Sequence, residues 1–413
     1  MNGSWITDLI KENQSVETPI SWLYWSLMWC ISSAAANVYT LRTLKGNLLY
    51  YPNLYIILMG ESGLGKGYPV NLAKRLLQEA NITRVIAGRS SIQAIIKEGS
   101  TTRSEKGKAI ITDSRMAVVN GELSTAIIQD PDSLTILTDL YDRNYNPSWT
   151  NMLKGDGHEK LKEPYITCLF GSSPAHFYDS IPQPNIEGGY IGRNLIIYEE
   201  KRSKDIDLLD HEKENIDEDR FTDYVAPKYV PHLIKIAAND KVRMIPNEKA
   251  RNLFNSWRKE WRENQKQYND RTGFVNRIPD HVLKVSMCLA LSRYEDNTTI
   301  IESDINEAIV NVSELTYANE KAASGSGVDP LAAATKKVMN ILIAIEGNQI
   351  LRRDLLVRGY GDYDPVALDK IIDALIEMKW CSRERVGVGK NMDYLYKLSG
   401  EPRQNLDKFR RMR

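Results

Sequence analysis

The chain has 413 residues, of which 42% are hydrophobic and 26% charged, a composition typical of globular proteins with two or three domains. Its 54 basic and 54 acidic side chains give a formal net charge of zero, so the whole surface cannot be basic and any nucleic-acid site must be a local patch. None of the four cysteines has C-x-x-C spacing, which argues against a zinc site or a disulfide framework and predicts a reducing, cytoplasmic location.

The first 45 residues are predicted to form a helical segment. Thr18 and Pro19 could begin a helix that contains the apolar run 22–36. This run is too short and too rich in serine and tryptophan to span a membrane. No basic segment precedes it, so a signal peptide is not expected either. We therefore expect the helix to pack on the domain that follows.

A glycine-rich turn follows the apolar run 54–59 and precedes a helical pattern. Its G-x-x-x-x-G-K spacing is that of a phosphate-binding loop, in which backbone N–H groups and a helix N-terminus face the phosphates. Lys66 would reach the β- and γ-phosphates, whereas an ordinary glycine turn is the alternative. The next residue is Gly67, where a Ser or Thr hydroxyl normally holds Mg²⁺. The predicted contacts to ATP and Mg²⁺ come from Gly60, Ser62, Gly63, Gly65, Lys66 and Gly67.

Two later strands are predicted to end in polar groups. Strand 116–119 leads to Glu122, which would orient the attacking water or hold Mg²⁺, with Asp113 as the reserve candidate. A surface glutamate at a strand end is the alternative. The buried strand 165–171 ends at Ser172, which could sense the γ-phosphate.

A basic hairpin and a single arginine are the next candidates. The Gly-Asp-Gly turn at 155–157 predicts a hairpin before strand 165–171. Arg193 precedes strand 194–198 and could reach the nucleotide of a neighbouring subunit, and a surface salt bridge is the alternative. A solvated loop is the alternative for the basic residues of the hairpin, which are Lys154, His158, Lys160 and Lys162.

The rest of the chain is predicted to be mostly helical. An acidic linker at 201–224 leads to helices over 229–320, and Arg277 stands near the start of one, where a lid could place it on phosphate. Three helices and a hairpin then predict a winged helix, whose helix 366–379 is poor in basic residues, so DNA and protein contacts stay equally open. The predicted regions are a helical segment 1–45, an ATPase core 46–204, a linker and lid 205–325, and a winged-helix domain with a basic tail 326–413.

In this order of motifs the chain resembles the AAA+ ATPases of phages and mobile elements, which are related to primase-helicases. The resemblance covers roughly residues 20–320 and includes the segment 188–193 before the last core strand. It implies an α/β fold: an AAA+-type P-loop core with a helical lid and a C-terminal winged helix. By resemblance to superfamily 3 and MCM helicases, Lys154, His158 and Lys160 would grip DNA, Arg193 would act in trans as an arginine finger, and Arg277 would be a sensor.

The resemblance implies a hexameric ring that hydrolyses ATP with Mg²⁺ and moves along single-stranded DNA, with a separate primase or loader as a possible partner. Gly67 and Gly121 depart from the family pattern and weaken the metal site. They favour a first alternative, a nucleotide-binding scaffold or replication-initiation factor that hydrolyses ATP weakly. The second alternative is a kinase, against which the basic hairpin and the winged helix argue.

Overall fold

The computed structural model describes residues 3–36, 38–43, 48–88, 90–100, 103–105, 108–111, 114–123, 133–142, 148–152, 158–181, 189–205, 221–268, 270–325, 330–359, 363–387 and 392–404. The chain divides into two units, residues 1–327 and residues 328–413. Among the described residues, no helix combines the length and the apolar composition needed to cross a bilayer.

A parallel five-stranded sheet forms the centre of the first unit. Its strands lie in the order β11-β3-β10-β7-β4. Successive side chains of a strand point to opposite faces, so Ile56 and Leu58 enter one apolar cluster while Tyr55 and Ile57 enter another. Because both faces are covered, the sheet has the near-continuous apolar strands that the sequence predicted. The strands are β3 (Tyr55–Met59), β4 (Arg84–Ala87), β7 (Arg115–Asn120), β10 (Tyr165–Ser172) and β11 (Asn194–Tyr198).

Helix α2 (Ile20–Ala35) lies inside the first unit. Only Ile20, Ser21 and Tyr24 of this helix are not buried. The helix packs against α3 (Gly67–Ala80), α7 (Ala226–Ala237) and α9 (Phe274–Ser292), so the predicted packing on the following domain is confirmed. An apolar surface on all sides is what a fully enclosed helix needs.

Two segments predicted to be helical or irregular contain strands instead. Residues Tyr39–Arg42 form β1, which pairs in parallel with β12 (Val242–Pro246) and antiparallel with β2 (Leu49–Tyr50). Strand β12 also pairs with β13 (Thr299–Ile300). These strands are very short, and the paired strands β1 and β12 lie about 200 residues apart in the sequence, so local periodicity could not reveal their pairing. A further hairpin that the sequence did not predict consists of β5 (Arg103–Glu105) and β6 (Lys108–Ile111).

The remaining helices of the first unit mostly follow the predicted positions. Hairpin strands β8 (Ser148–Met152) and β9 (His158–Lys162) pair antiparallel before β10, as predicted. The helices are α1 (Trp5–Glu12), α4 (Ile92–Ser100), α5 (Ser133–Tyr141), α6 (Pro174–Ser180), α8 (Glu248–Asn264), α10 (Glu302–Ser313) and α11 (Leu315–Gly325).

The second unit has its own apolar core, which includes Val338, Leu355, Ile371 and Tyr396. Its three-stranded antiparallel sheet has the order β14-β16-β15. The elements are α12 (Pro330–Ala344), β14 (Gln349–Leu351), α13 (Arg352–Arg358), α14 (Pro365–Glu377), β15 (Cys381–Val386), β16 (Asp393–Leu398) and α15 (Gly400–Gln404). Strand β14 and helix α15 were not predicted, whereas α12, α13, α14 and the β15–β16 hairpin were.

Candidate functional site

The glycine-rich loop connects the carboxyl end of β3 to the first turn of α3. Gly63 and Gly65 both have φ of 88°, a left-handed conformation that glycine adopts without strain. Gly60 is required for space, because a Cβ there would lie 2.6 Å from the carbonyl oxygen of Glu199 and 2.7 Å from the Trp22 ring. The predicted strand–loop–helix arrangement is therefore present, and the N-terminus of α3 is at the loop.

The loop's carbonyl groups are held by side chains. Lys66 Nζ donates to the carbonyl oxygens of Gly60 (2.5 Å) and Glu61 (2.8 Å). Arg202 donates to Gly63 O at 3.1 Å, and the Thr18 hydroxyl donates to Gly65 O at 3.2 Å. In contrast, the backbone amides from 62 to 66 have no acceptor among the described residues. An array of unsatisfied N–H groups at a helix N-terminus is suited to bind an anion.

Glu122 and Ser172 lie at the same edge of the sheet as the loop. Strand β10 runs between β3 and β7, and Ser172 is in register with Met59. The Gly60 amide donates to Ser172 O at 3.2 Å. Next to it, Gly171 lies so close to Gly121 that a Cβ on Gly171 would be 2.2 Å from Gly121 O, which fixes the position of the segment before Glu122. The parallel strands thus bring the loop, Ser172 and Glu122 together.

Lys66 and Glu122 also interact electrostatically. Burial lowers the pKa of Lys66, and the carboxylates of Glu61 and Glu122 oppose that shift. Glu122 itself is exposed, and its amide donates to Asn120 Oδ1 at 3.2 Å. An exposed carboxylate beside a lysine that faces the loop can accept a proton from water or contact a hydrated cation. Asp113, the reserve candidate, lies outside the described residues.

The residues at the loop are suited to bind a nucleotide, but they provide only some of the ligands that Mg²⁺ normally has at such a loop. Gly67 is the first residue of α3, and a Cβ there would have only Asn71 Nδ2 as a neighbour, at 4.0 Å. Space for a hydroxyl side chain exists, but the chain places none there. The cation would therefore rest on the phosphate oxygens, on water and on Glu122.

The sequence did not reveal the side chains from other segments of the chain that lie around the loop. Trp22 of α2 has its ring centroid 5.6 Å from Lys66 Nζ, and its indole N–H donates to Ile197 O at 3.1 Å. Arg202, which contacts the loop, is itself paired with Glu17. The P-loop and these residues are separated in sequence by 40 to 140 positions, so no local motif connects them. The only sequence signal was the polar cluster Thr18-Pro19 before an apolar helix.

Arg193 and Arg277 lie at the other edge of the sheet. Arg193 immediately precedes β11, whose first residue pairs with Tyr55 at the start of β3. The strand separates this edge from the loop by about 16 Å, at roughly 3.3 Å per residue. Arg193 is 7% exposed, and its Nε donates to Asp142 Oδ2 at 3.0 Å. The salt bridge considered as its alternative is present, with Asp142, although the Arg193 side chain itself is buried.

Arg277 is near Arg193, since both guanidinium groups lie within 4 Å of a Cβ placed on Gly189. It belongs to the first turn of α9, which begins at Phe274, in agreement with its predicted position near the start of a helix. The structure therefore does not bring Arg277 to the loop of its own copy. Any contact of Arg193 or Arg277 with ATP would involve nucleotide bound elsewhere.

The basic hairpin extends from the start of β10, at the same edge as Arg193. Lys160 and Lys162 are exposed on β9, which pairs with β8 from Ser148 to Met152. His158 begins β9, while Lys154 lies outside the described residues. The predicted hairpin is confirmed in its strands, and its contact with DNA stays a prediction.

No family model and no curated protein matches the chain. Among solved structures, the Aeropyrum pernix ORC1 protein in complex with DNA aligns with 93% of this chain and 89% of its own at 12% identity, with a TM-score of 0.22. A likeness of this strength does not establish a common fold.

Proposed function

We propose that this chain is a P-loop ATPase of the AAA+ type that binds ATP at the loop 60–67 and hydrolyses it between copies assembled in a ring. The observation that carries this proposal is the arrangement of the loop: its carbonyls are held by Lys66, Arg202 and Thr18, while its amides from 62 to 66, at a helix N-terminus, have no acceptor among the described residues. The position of Glu122, one strand beyond Ser172, adds a carboxylate where a water molecule would be activated.

In the proposed reaction, Lys66 leaves the carbonyls of Gly60 and Glu61 to contact the terminal phosphates. Glu122 orients a water molecule and accepts its proton. Bound Mg²⁺ would supply Lewis-acid charge neutralisation on the phosphate oxygens. Arg193 and Arg277 face away from their own loop, so they would act on nucleotide held by the next copy, a contribution of about 10³–10⁵ in rate for a trans arginine.

We further propose that the ring moves along single-stranded DNA in phage or mobile-element replication. The exposed Lys160 and Lys162 of the hairpin would bind backbone phosphates, which makes binding independent of sequence and sensitive to salt. The second unit, which the sequence predicts to be a winged helix, would contact DNA or a loader or primase.

ATP hydrolysis by the purified chain tests this proposal. We expect turnover that rises with single-stranded DNA, and a mass in solution that increases to a ring, such as a hexamer, when ATP is added. Control reactions contain the Lys66→Ala chain. If the chain stays a monomer and hydrolyses ATP at the same rate with and without DNA, the proposed translocase function is wrong.

A second candidate function is a nucleotide-dependent scaffold or initiation factor. The observation that favours it is Gly67, which gives the metal no hydroxyl ligand. Such a protein would bind ATP tightly and assemble with it, but would release almost no phosphate, with or without DNA. The hydrolysis experiment therefore separates the two candidates directly.

Replacing Gly67 with serine should increase hydrolysis about tenfold, equivalent to about 1.4 kcal/mol, because a hydroxyl would become a ligand of Mg²⁺. The site tolerates a side chain, since the nearest atom to a new Cβ is 4.0 Å away. The rate is measured as a function of Mg²⁺ concentration, and the half-saturating concentration should fall.

Gly67→Ala is the matched control for this serine. Both changes remove a glycine from the first helical turn, which stabilises a helix by about 0.5–1 kcal/mol, but only serine adds an oxygen ligand. Equal rates for the two variants would mean that the position does not face the metal.

A further inference from the structure

A second cavity in the first unit, of about 530 Å³, opens at the edge of the sheet opposite the P-loop. We call it the arginine cavity. Its walls come from residues 48–53, from the end of α5, and from α8 and α9. Its charged lining residues are Arg258, Arg262, Arg277, Lys284, Asp142 and Asp280.

The cations of the arginine cavity outnumber the carboxylates that could neutralise them. Asp142 is already bound by Arg193, and Asp280 accepts a hydrogen bond of 2.7 Å from the Tyr50 hydroxyl. Arg258, Arg262 and Arg277 have no carboxylate partner in the part of the chain that the structure describes. In a chain without net charge, such a local excess of positive charge is unusual and attracts anions.

The geometry of these side chains suits phosphate groups. Arg258 and Arg262 are one turn apart on α8, so they project from the same face of the helix. Planar guanidinium groups donate two parallel hydrogen bonds to phosphate oxygens. Three separated guanidinium groups fit a chain of phosphates better than a single anion, and the volume of the cavity is in the range of small-ligand sites.

Lys284 supplies a buried amine on the inner wall. It is 6% exposed; its Nζ donates to Asn53 Oδ1 at 2.8 Å and lies 3.5 Å from the centroid of the Tyr141 ring. Burial lowers its pKa to about 7, Asp142 and Asp280 oppose this shift, and Arg193 adds to it. His281, also on α9, donates from Nε2 to the Gly192 carbonyl oxygen at 2.9 Å and accepts at Nδ1 from the Tyr141 hydroxyl at 3.3 Å. Burial lowers its pKa to about 3, so it stays neutral.

We propose that the arginine cavity is a second phosphate-binding site, which holds a chain of phosphate groups through Arg258, Arg262 and Arg277. The phosphate groups come either from nucleotide held at the P-loop of a neighbouring copy or from a free polyphosphate or nucleotide. Only the choice between these two sources rests on the proposed ATPase function. The existence of a phosphate site in the cavity does not depend on it.

Binding of inorganic tripolyphosphate to the Lys66→Ala chain tests the cavity, because this background removes the P-loop lysine. Calorimetry should find one site, and Arg258→Gln with Arg262→Gln should weaken it at least tenfold. The matched control is Lys249→Gln with Lys259→Gln, which removes two exposed charges from the same helix but none from the cavity. No binding to the Lys66→Ala chain, or equal weakening by both pairs, would overturn the proposal. The binding of tripolyphosphate to the cavity does not depend on whether the chain hydrolyses ATP.

The pH dependence of the same binding tests the position of Lys284. Above a pH of about 7 its amine loses the proton, so the affinity for tripolyphosphate should fall more steeply between pH 7 and 9 than in the Lys284→Met chain. The change in protonation of tripolyphosphate itself alters the affinity of the unmodified chain and of the Lys284→Met chain equally. Identical slopes, with both proteins folded by their melting temperatures, would show that Lys284 does not face the bound anion.

A mixing experiment distinguishes the two sources. The Lys66→Ala chain has an intact cavity, and a chain with Arg258→Gln, Arg262→Gln and Arg277→Gln has an intact P-loop. If each alone is inactive and the mixture hydrolyses ATP, the cavity takes the phosphates of the neighbour's nucleotide. If tripolyphosphate binds but the mixture stays inactive, the cavity takes a free phosphate chain.

Discussion

Replacing Lys66 with alanine should abolish ATP hydrolysis and weaken ATP binding by about 10²-fold or more. Hydrogen bonds to charged groups contribute about 1.5–3 kcal/mol each, and the ammonium can make two of them to the phosphates. The fold should be unaffected, because the only hydrogen bonds that Lys66 makes to described residues are to the Gly60 and Glu61 carbonyls. Binding is measured by titration with a fluorescent ATP analogue.

Lys74→Ala is the control, since it removes a lysine two turns further along α3 without touching the loop. Its affinity for ATP should equal that of the unmodified chain. If the Lys66→Ala chain binds ATP as tightly as this control, the loop is not a phosphate site and the proposed function is lost.

Replacing Glu122 with glutamine should leave ATP bound but reduce hydrolysis about 10²–10⁴-fold. This is the range by which a positioned general base accelerates a reaction, and glutamine keeps the shape of the side chain without its basicity. Single-turnover measurements with a limiting amount of ATP separate the chemical step from product release. Binding should be retained because Lys66 and the loop amides remain in place.

Glu61→Gln is the matched control for Glu122→Gln. Both carboxylates raise the pKa of Lys66, so both changes alter the charge near the lysine in the same direction. Only Glu122 lies just beyond the end of β7, on the far side of β10 from the loop. A loss of hydrolysis in both variants would show that charge, and not proton transfer, is responsible, whereas unchanged hydrolysis in Glu122→Gln would exclude its role.

Local signals in the sequence predicted the centre of the site correctly. The apolar runs at 54–59 and 165–171 are strands, and the glycine spacing predicted a loop whose φ values require glycine at Gly63 and Gly65. These features depend on neighbours within a few residues. The sequence could also place Glu122 and Ser172 at strand ends, because the carboxyl ends of parallel strands meet at one edge.

Features that depend on distant pairing were not predictable. Residues 39–42 were expected to be helical, but they pair with residues 242–244. The carbonyl contacts from Thr18 and Arg202 arise only when α2 and the segment after β11 pack on the loop. The prediction that Arg277 reaches the phosphates rested on the order of the motifs alone. That order does not specify which edge of the sheet a helix reaches.

Helix α2 has a consequence for how the protein is made. It is translated before its partner helices α7 and α9, which end at Ala237 and Ser292. About 250 further residues must be translated before the helix can be enclosed, which takes roughly 10–50 s at typical elongation rates of about 5–20 residues per second. During that time the helix, whose side chains are mostly apolar, is not enclosed by its partners. We therefore expect the yield of this protein in cells to depend on chaperones that bind apolar segments.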